Sequence, residues 1–333
     1  TLPFREKMKE GTPWPYYVVR NGSFKYFTPD HYPLGYLIVQ YGNQIFGEAT
    51  WDTIVKTAPT FKNLFSPFSG VVKEKFGFRN RHMYEEAMQW FGEEWSRKEV
   101  KETVYPLVSL SQWDMKQDFV AMEYPVVEGD GQILAAVTTF DRTTAICRIR
   151  PDGRRSRVVS LGLQQDPYFH SRNQVFVWTE LRYDPRWIRR DHSVIVVLDE
   201  KRGRTFSIET DKGYFTPSLN ESGTRIVALH TDPMGQYSLH ILDAADGTIL
   251  DTLPNPENLY LGYPVFSPDG LSVIATARNP DGQMALVEQD LSSGAIRNIT
   301  PYSYSVLGRP VFHDRWILLT AGVDELGQVF AVD

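Results

Sequence analysis

The sequence predicts a multidomain α + β chain: an N-terminal α-helical region over residues 1–100, then a β-propeller of at least five four-stranded blades over residues 101–333. Three observations carry this expectation. Apolar residues recur at helical spacing up to about residue 100 and alternate in short runs bounded by Asp, Gly, Asn and Pro from about Tyr105 onward. The second part repeats itself every 42 to 50 residues or so, the period of a four-stranded blade. Each complete repeat also carries two strands joined by a turn that ends in glycine, the residue that accepts positive φ there.

Four helices are expected in the first part, over Tyr32 to Phe46, Thr50 to Ala58, Pro67 to Phe76 and Arg81 to Arg97. The last is the plainest: Met83, Tyr84, Ala87, Met88, Trp90, Phe91 and Trp95 share one face, with Glu85, Glu86, Gln89 and Glu93 on the other. The first is unusual. From His31 to Gly47 no side chain carries a formal charge, and Leu34, Leu37, Ile38, Tyr41 and Ile45 make a broad apolar side, so this helix is expected to need neighbours in several directions. Pro33 falls in its first turn, where a missing N–H costs nothing.

The repeat aligns on a proline and a turn residue six positions on: PVVEGDG from Pro125, PYFHSRN from Pro167, PSLNESG from Pro217 and PVFSPDG from Pro264, with a shorter copy, PVFHDRW, from Pro310. These place the blades near residues 124, 166, 214, 263 and 309. The hairpin landmarks are RIRPDGRRSRVV, VVLDEKRGRTFSI, HILDAADGTILDTL and EQDLSSGAIRNIT. Acidic or Asn-rich loops such as TDPMGQYSL read as turn formers, because the ligand spacing of a calcium loop is missing. The last unit reaches Asp333 after its third strand. Either KETVYPLVSL, from Lys101 to Leu110, supplies the outermost strand and five blades close, or the chain is cut within a longer propeller and leaves a raw edge.

Composition narrows the function. A chain of 333 residues with 42% apolar residues is long enough for two cores. Its net charge of −6 is spread along the chain without a basic, aromatic-interleaved stripe, so no nucleic-acid partner is expected. A single cysteine, Cys147, excludes an internal disulfide; it lies in the apolar strand AICRIR and reads as packed. No stretch reaches the roughly 18 to 20 apolar residues of a membrane-spanning helix. The chain begins at Thr1 without initiator Met or leader, so a mature product or a piece of a longer chain is expected.

The PVFSPDG and D-x-x-x-G pattern resembles the TolB-type propeller repeats of exported bacterial proteins and of the prolyl-oligopeptidase family. That resemblance implies a propeller and an exported, periplasmic or cell-envelope setting, and little about chemistry. Tyr32-Pro-Leu-Gly35, followed by an uncharged helix and a second Tyr-Gly, resembles the Tyr-x-x-Gly element of gluzincin metallopeptidases, and GEATWDTIV and MYEEAMQWFGEEW are similar to helices that follow it. Carried over, the resemblance gives the Tyr32 hydroxyl the role of a hydrogen-bond donor to the tetrahedral oxyanion, with His31 beside it as a cap or supporting group. From the residues alone, Tyr32 is a helix-entry tyrosine packing its ring. The family's HExxH is absent, and neither HYPLG nor HMYEE puts a second histidine four residues on, so no metal ligands and no cofactor are assigned to this chain. Zinc would belong to an intact protein whose remaining part holds the motif.

Other chemistries find less. There is no G-x-S-x-G elbow, Walker loop or dinucleotide fingerprint. His170, His192, His230, His240 and His313 fall in separate strands or turns without ligand spacing and read as structural. One long connection, RYDPRWIRRDH, sets Trp187 beside Arg186, Arg189 and Arg190; these residues are expected to be interface anchors, or else to clasp the neighbouring blade or the helical region. Two functions follow: part of an exported zinc-metallopeptidase-like protein whose propeller gates or docks a peptide or protein, or a non-catalytic binding module of the cell envelope.

Overall fold

A computed structural model describes residues 2–9, 11–23, 27–59, 67–97, 120–128, 131–187, 190–210, 213–313, 315–322 and 327–332. The chain forms two compact units, Thr1–Phe119 and Val120–Asp333. The expected boundary at residue 100 and the expected closing strand Lys101 to Leu110 lie outside the described residues.

Six helices are described in the first unit: α1 (Leu2–Lys9), α2 (Tyr16–Asn21), α3 (His31–Phe46), α4 (Ala49–Thr57), α5 (Pro67–Phe76) and α6 (Asn80–Arg97). The last four lie where periodicity put them. The first two were not expected, being short pieces between prolines whose apolar residues are too few to show a period. The amphipathic pattern of α6 feeds two cores. Tyr84 and Met88 pack with Phe4, Tyr16, Val19, Leu34 and Leu37, while Met83 and Ala87 pack with Tyr41, Ile54, Val72 and Phe76. The Tyr84 hydroxyl donates to the Trp14 carbonyl at 2.8 Å, which satisfies that polar atom of the first core. Helix α3 starts cleanly because Asp30 accepts from the Tyr32 N–H at 2.9 Å. It buries Leu34, Leu37, Tyr41 and Gly42 on one side only. Tyr36, Val39 and Ile45 stay exposed, so the expectation of neighbours in several directions is not met within the described residues.

The second unit is a five-blade propeller of four-stranded sheets. Blade 1 is β1 (Val120–Val127), β2 (Ile133–Thr139), β3 (Ala145–Ile149) and β4 (Arg155–Ser160). Blade 2 is β5 (Phe169–Arg172), β6 (Val175–Arg182), β7 (His192–Asp199) and β8 (Arg204–Ile208). Blade 3 is β9 (Tyr214–Leu219), β10 (Arg225–Thr231), β11 (Tyr237–Asp243) and β12 (Ile249–Leu253), and blade 4 is β13 (Tyr260–Phe266), β14 (Ser272–Arg278), β15 (Met284–Asp290) and β16 (Ile296–Asn298). In these four blades the strands pair in chain order, all antiparallel. In blade 5, β17 (Val306–Leu307) and β18 (Val311–His313) share one edge of β19 (Trp316–Gly322), and β20 (Gly327–Val332) takes the other. Its first strand is thus broken in two, and no further strand follows β20 among the described residues.

The second strand of each blade reads as a nearly continuous apolar run because both of its faces are covered. In β10, Ile226 and Ala228 pack toward Val177, Ile195 and Val197 of blade 2, while Val227 and Leu229 pack toward Val273 and Ala275 of blade 4. Leu134, Ala136 and Ile146 meet Phe176, Trp178 and Val194 between blades 1 and 2; Val265, Ile274 and Leu286 meet Ile317 between blades 4 and 5. Each buried Val, Leu, Ile or Phe among them contributes about 1.5–3 kcal/mol. The turn glycines of the four complete hairpins, Gly153, Gly203, Gly247 and Gly294, all have positive φ, as their position requires.

Candidate functional site

The residue before each repeat proline is Tyr124, Asp166, Thr216, Tyr263 or Arg309. In blades 1, 3 and 4 the inner strand loses register at this X-Pro pair, since proline cannot donate to the ladder and forms a bulge there. The pre-proline residue takes positive φ in all three: 54° at Tyr124, 46° at Thr216 and 49° at Tyr263. Such a backbone costs a bulky or β-branched residue on the order of 1–3 kcal/mol, and it persists only where surrounding contacts enforce it.

Those contacts gather the five side chains on the propeller axis. The Tyr124 hydroxyl donates to both oxygens of Asp166, at 2.6 and 2.8 Å, and the Tyr263 hydroxyl donates to Oδ2 at 3.0 Å. The Tyr263 N–H donates to Thr216 Oγ1 at 3.1 Å. Arg309 lies 5.7 Å from the ring centroids of both Tyr124 and Tyr168, so blade 5 meets blades 1 and 2 at this point. Tyr168 stands between Tyr124 and Tyr263, edge to face with each at 5.3 Å, and its hydroxyl is 2.9 Å from Ser218 Oγ. Burial, and then the neighbouring Asp166 carboxylate, push the Tyr124 phenol far up and the Tyr263 phenol up to about 12. Both remain donors at neutral pH.

Beside this cluster is a cavity of about 140 Å³. Asp166, Tyr168, Thr216 and Tyr263 form its axial wall; Phe215, Tyr260, Gln164 and Glu180 are among the residues that line the rest. Glu180 is tightly held: Gly162 N–H and Trp178 Nε1 donate to Oε1 at 2.7 and 2.9 Å, and Arg182 donates to Oε2 at 2.9 Å. Burial works to raise its carboxyl, but the Trp178, Arg182 and Gly162 donors win and hold it below the usual range. The Asp166 carboxylate makes no ion pair among the described residues; its partners are the two phenols. A wider depression of about 530 Å³, lined by Glu123, Thr138, Thr144, Leu161 and Pro167, adjoins the cavity through Gln164. The depression is lined by Thr138, Thr143 and Thr144 at the β2–β3 connection, and the cavity by Thr179, Leu181 and Ser193 toward the ends of β6 and β7 that the β6–β7 loop joins.

The β6–β7 loop contains the residues expected to bind. Asp184 organises it by accepting from the Arg186 and Trp187 N–H groups, both at 2.8 Å, and Asp191 accepts from Asp184 N–H at 2.9 Å. Trp187 is 55% exposed and Arg186 and Arg190 are exposed. Arg189 lies outside the described residues. Tyr32 is 74% exposed at the start of α3, its ring tilted over that of His31 at 4.4 Å. No group of three or more His, Cys, Asp or Glu side chains converges as a metal site among the described residues, so they do not fit a zinc centre. Among those residues no helix is long and apolar enough to cross a membrane.

Two juxtapositions escaped the sequence. His230 and His240, on adjacent strands, stack at 4.2 Å, with the Tyr214 hydroxyl hydrogen-bonded to His240 Nδ1 at 2.9 Å. The axial five were implicit in the proline alignment: one step before each aligned proline gives one residue per blade at an equivalent place. Cys147 is buried, and burial raises its thiol.

No family model matches the chain, and no curated protein sequence does. Solved structures similar to it include TolB from Acinetobacter baumannii, 15% identical over 64% of this chain and 56% of that one, with a TM-score of 0.43. A putative TolB from Agrobacterium tumefaciens is 14% identical over 63% of this chain and 80% of its own, with a TM-score of 0.44. Acylaminoacyl peptidase from Pyrococcus horikoshii is 12% identical over 65% of this chain and 38% of its own, with a TM-score of 0.41. The chain therefore spans just over half of the Acinetobacter protein and less than two-fifths of the peptidase.

Proposed function

We propose that this chain is a recognition module whose propeller docks a peptide or protein segment at the axial end, within an exported protein of the cell envelope that resembles a zinc peptidase. The observation that carries the docking role is the axial cluster: three strained bulges, at Tyr124, Thr216 and Tyr263, together with Asp166 and Arg309 bring five side chains of four kinds into one polar and aromatic group beside a cavity and a wider groove. A fold that needed only closure would not require strained, chemically distinct residues at that point. Peptides recovered by display selection on the purified chain should lose binding when Tyr263→Ala and Tyr260→Ala are introduced. Peptides that bind these variants as well as the parent would refute axial docking.

The exported setting and the peptidase likeness rest on the repeat pattern and on Tyr32-Pro-Leu-Gly35 with its uncharged helix. In that reading the zinc motif belongs to residues outside this chain, and Tyr32, exposed at the mouth of α3, offers its hydroxyl to a substrate oxygen in the intact protein. Intact mass and metal content of the protein from its native source test this. A mass well above 38.2 kDa with about one zinc per molecule supports it. A mass near 38.2 kDa without zinc leaves the non-catalytic binding module.

A further inference from the structure

We propose that the axial cavity takes one cationic side chain, a lysine or arginine of the docked segment; this rests on the axial docking reading and names the chemistry of its anchor. The cavity wall carries two carboxylates, Asp166 and Glu180, and no basic side chain. Glu180 is already matched by Arg182, and Arg309 packs on the Tyr124 and Tyr168 rings without lining the cavity. Asp166 therefore remains the carboxylate without a cationic partner among the described residues, and the two phenols that donate to it fix its direction.

The rest of the wall suits such a guest. Tyr168, Phe215, Tyr260 and Tyr263 present aromatic surface, which attracts a cation at a ring face and also covers the methylene stem of a long basic side chain. A cavity near 140 Å³ is comparable to one of roughly 150 Å³ that takes a benzene molecule, so it suits a single side chain and not a drug-sized ligand. The adjoining depression of about 530 Å³ leaves room for the backbone on either side of the anchor.

Fluorescein-labelled Ala-Ala-Xaa-Ala-Ala peptides with Xaa as lysine, arginine, norleucine or glutamate test the assignment by anisotropy. Lysine and arginine should bind about tenfold more tightly than norleucine, and glutamate more weakly still. Asp166→Asn should abolish the preference. Because Asp166 also holds Tyr124 and Tyr263, Tyr260→Ala serves as a second variant that leaves those hydrogen bonds intact, and it should reduce the lysine-to-norleucine ratio several-fold. Equal binding of lysine and norleucine, a glutamate preference, or a lysine preference that survives both variants would overturn the proposal. Display-selected peptides that need Tyr263 and Tyr260 but carry no enrichment of basic residues would overturn it while leaving axial docking in place.

Discussion

Acidification should weaken this propeller through His240. The ring is 8% exposed, hydrogen-bonded to Tyr214 and stacked on His230. Burial, and then the charge of His230, lower its imidazole to about 4 from an ordinary 6.5. The unfolded chain thus binds a proton between pH 6.5 and about 4 that the folded chain refuses. Stability is complete above 6.5 and falls as pH drops through that window. Moving from pH 7.5 to pH 5 corresponds to about 2 kcal/mol at full linkage, or roughly 1 kcal/mol once partial solvent screening is allowed for. His170, whose Nδ1 accepts from Leu219 N–H at 3.2 Å and which burial lowers to about 3, acts in the same direction. Urea unfolding followed at pH 7.5, 6.5, 5.5 and 5.0 reads the slope. His240→Gln should flatten it by about half, since two imidazoles share it. A midpoint that is unchanged or rises on acidification, or a slope that His240→Gln leaves as it was, would refute the reasoning.

Three further outcomes follow from packing. Arg148 donates to Glu128 at 2.7 Å and to Glu200 at 2.9 Å with its side chain 20% exposed, so Arg148→Met should cost about 1–3 kcal/mol of unfolding free energy, and Arg148→Lys should recover little, because it cannot fork. Gly42→Ala would place a methyl 2.5 Å from the Trp51 ring, and the resulting overpacking, about 1–3 kcal/mol, should appear as faster hydrogen exchange in α3 and α4. Trp187→Ala should leave the unfolding free energy from urea titration within about 0.5 kcal/mol while weakening capture of a docked peptide. A loss above about 2 kcal/mol would show that Trp187 clasps the fold instead.

Much of this architecture was legible in the sequence, for identifiable reasons. Blade strands show themselves because both faces of runs such as Ile226–Leu229 are covered, and hairpins because one turn position needs positive φ at Gly153, Gly203, Gly247 and Gly294. Helix α6 shows itself because two cores draw on adjacent positions of one helix. Helices α1 and α2 did not, since prolines flank or interrupt segments too short to show a period. The site was less visible. Tyr124, Asp166 and Tyr263 are 42 and 97 residues apart, and no local pattern announces that bulges turn the two tyrosines toward the same carboxylate. The repeat supplied the register, but the different residues at one register position distinguish a binding cluster from a packing position, and their meaning depends on the hydrogen bonds that only coordinates show. The stacking of His230 on His240 is likewise a cross-strand relation with no sequence signature.

Which end of the propeller is used decides the account. Hydrogen–deuterium exchange of the chain, with and without a display-selected peptide, measures this directly. Axial docking predicts protection of segments 161–168, 179–183 and 260–263, which border the cavity and the adjoining groove. Protection confined to the opposite turns, around Gly153, Gly203 and Gly247, would contradict it.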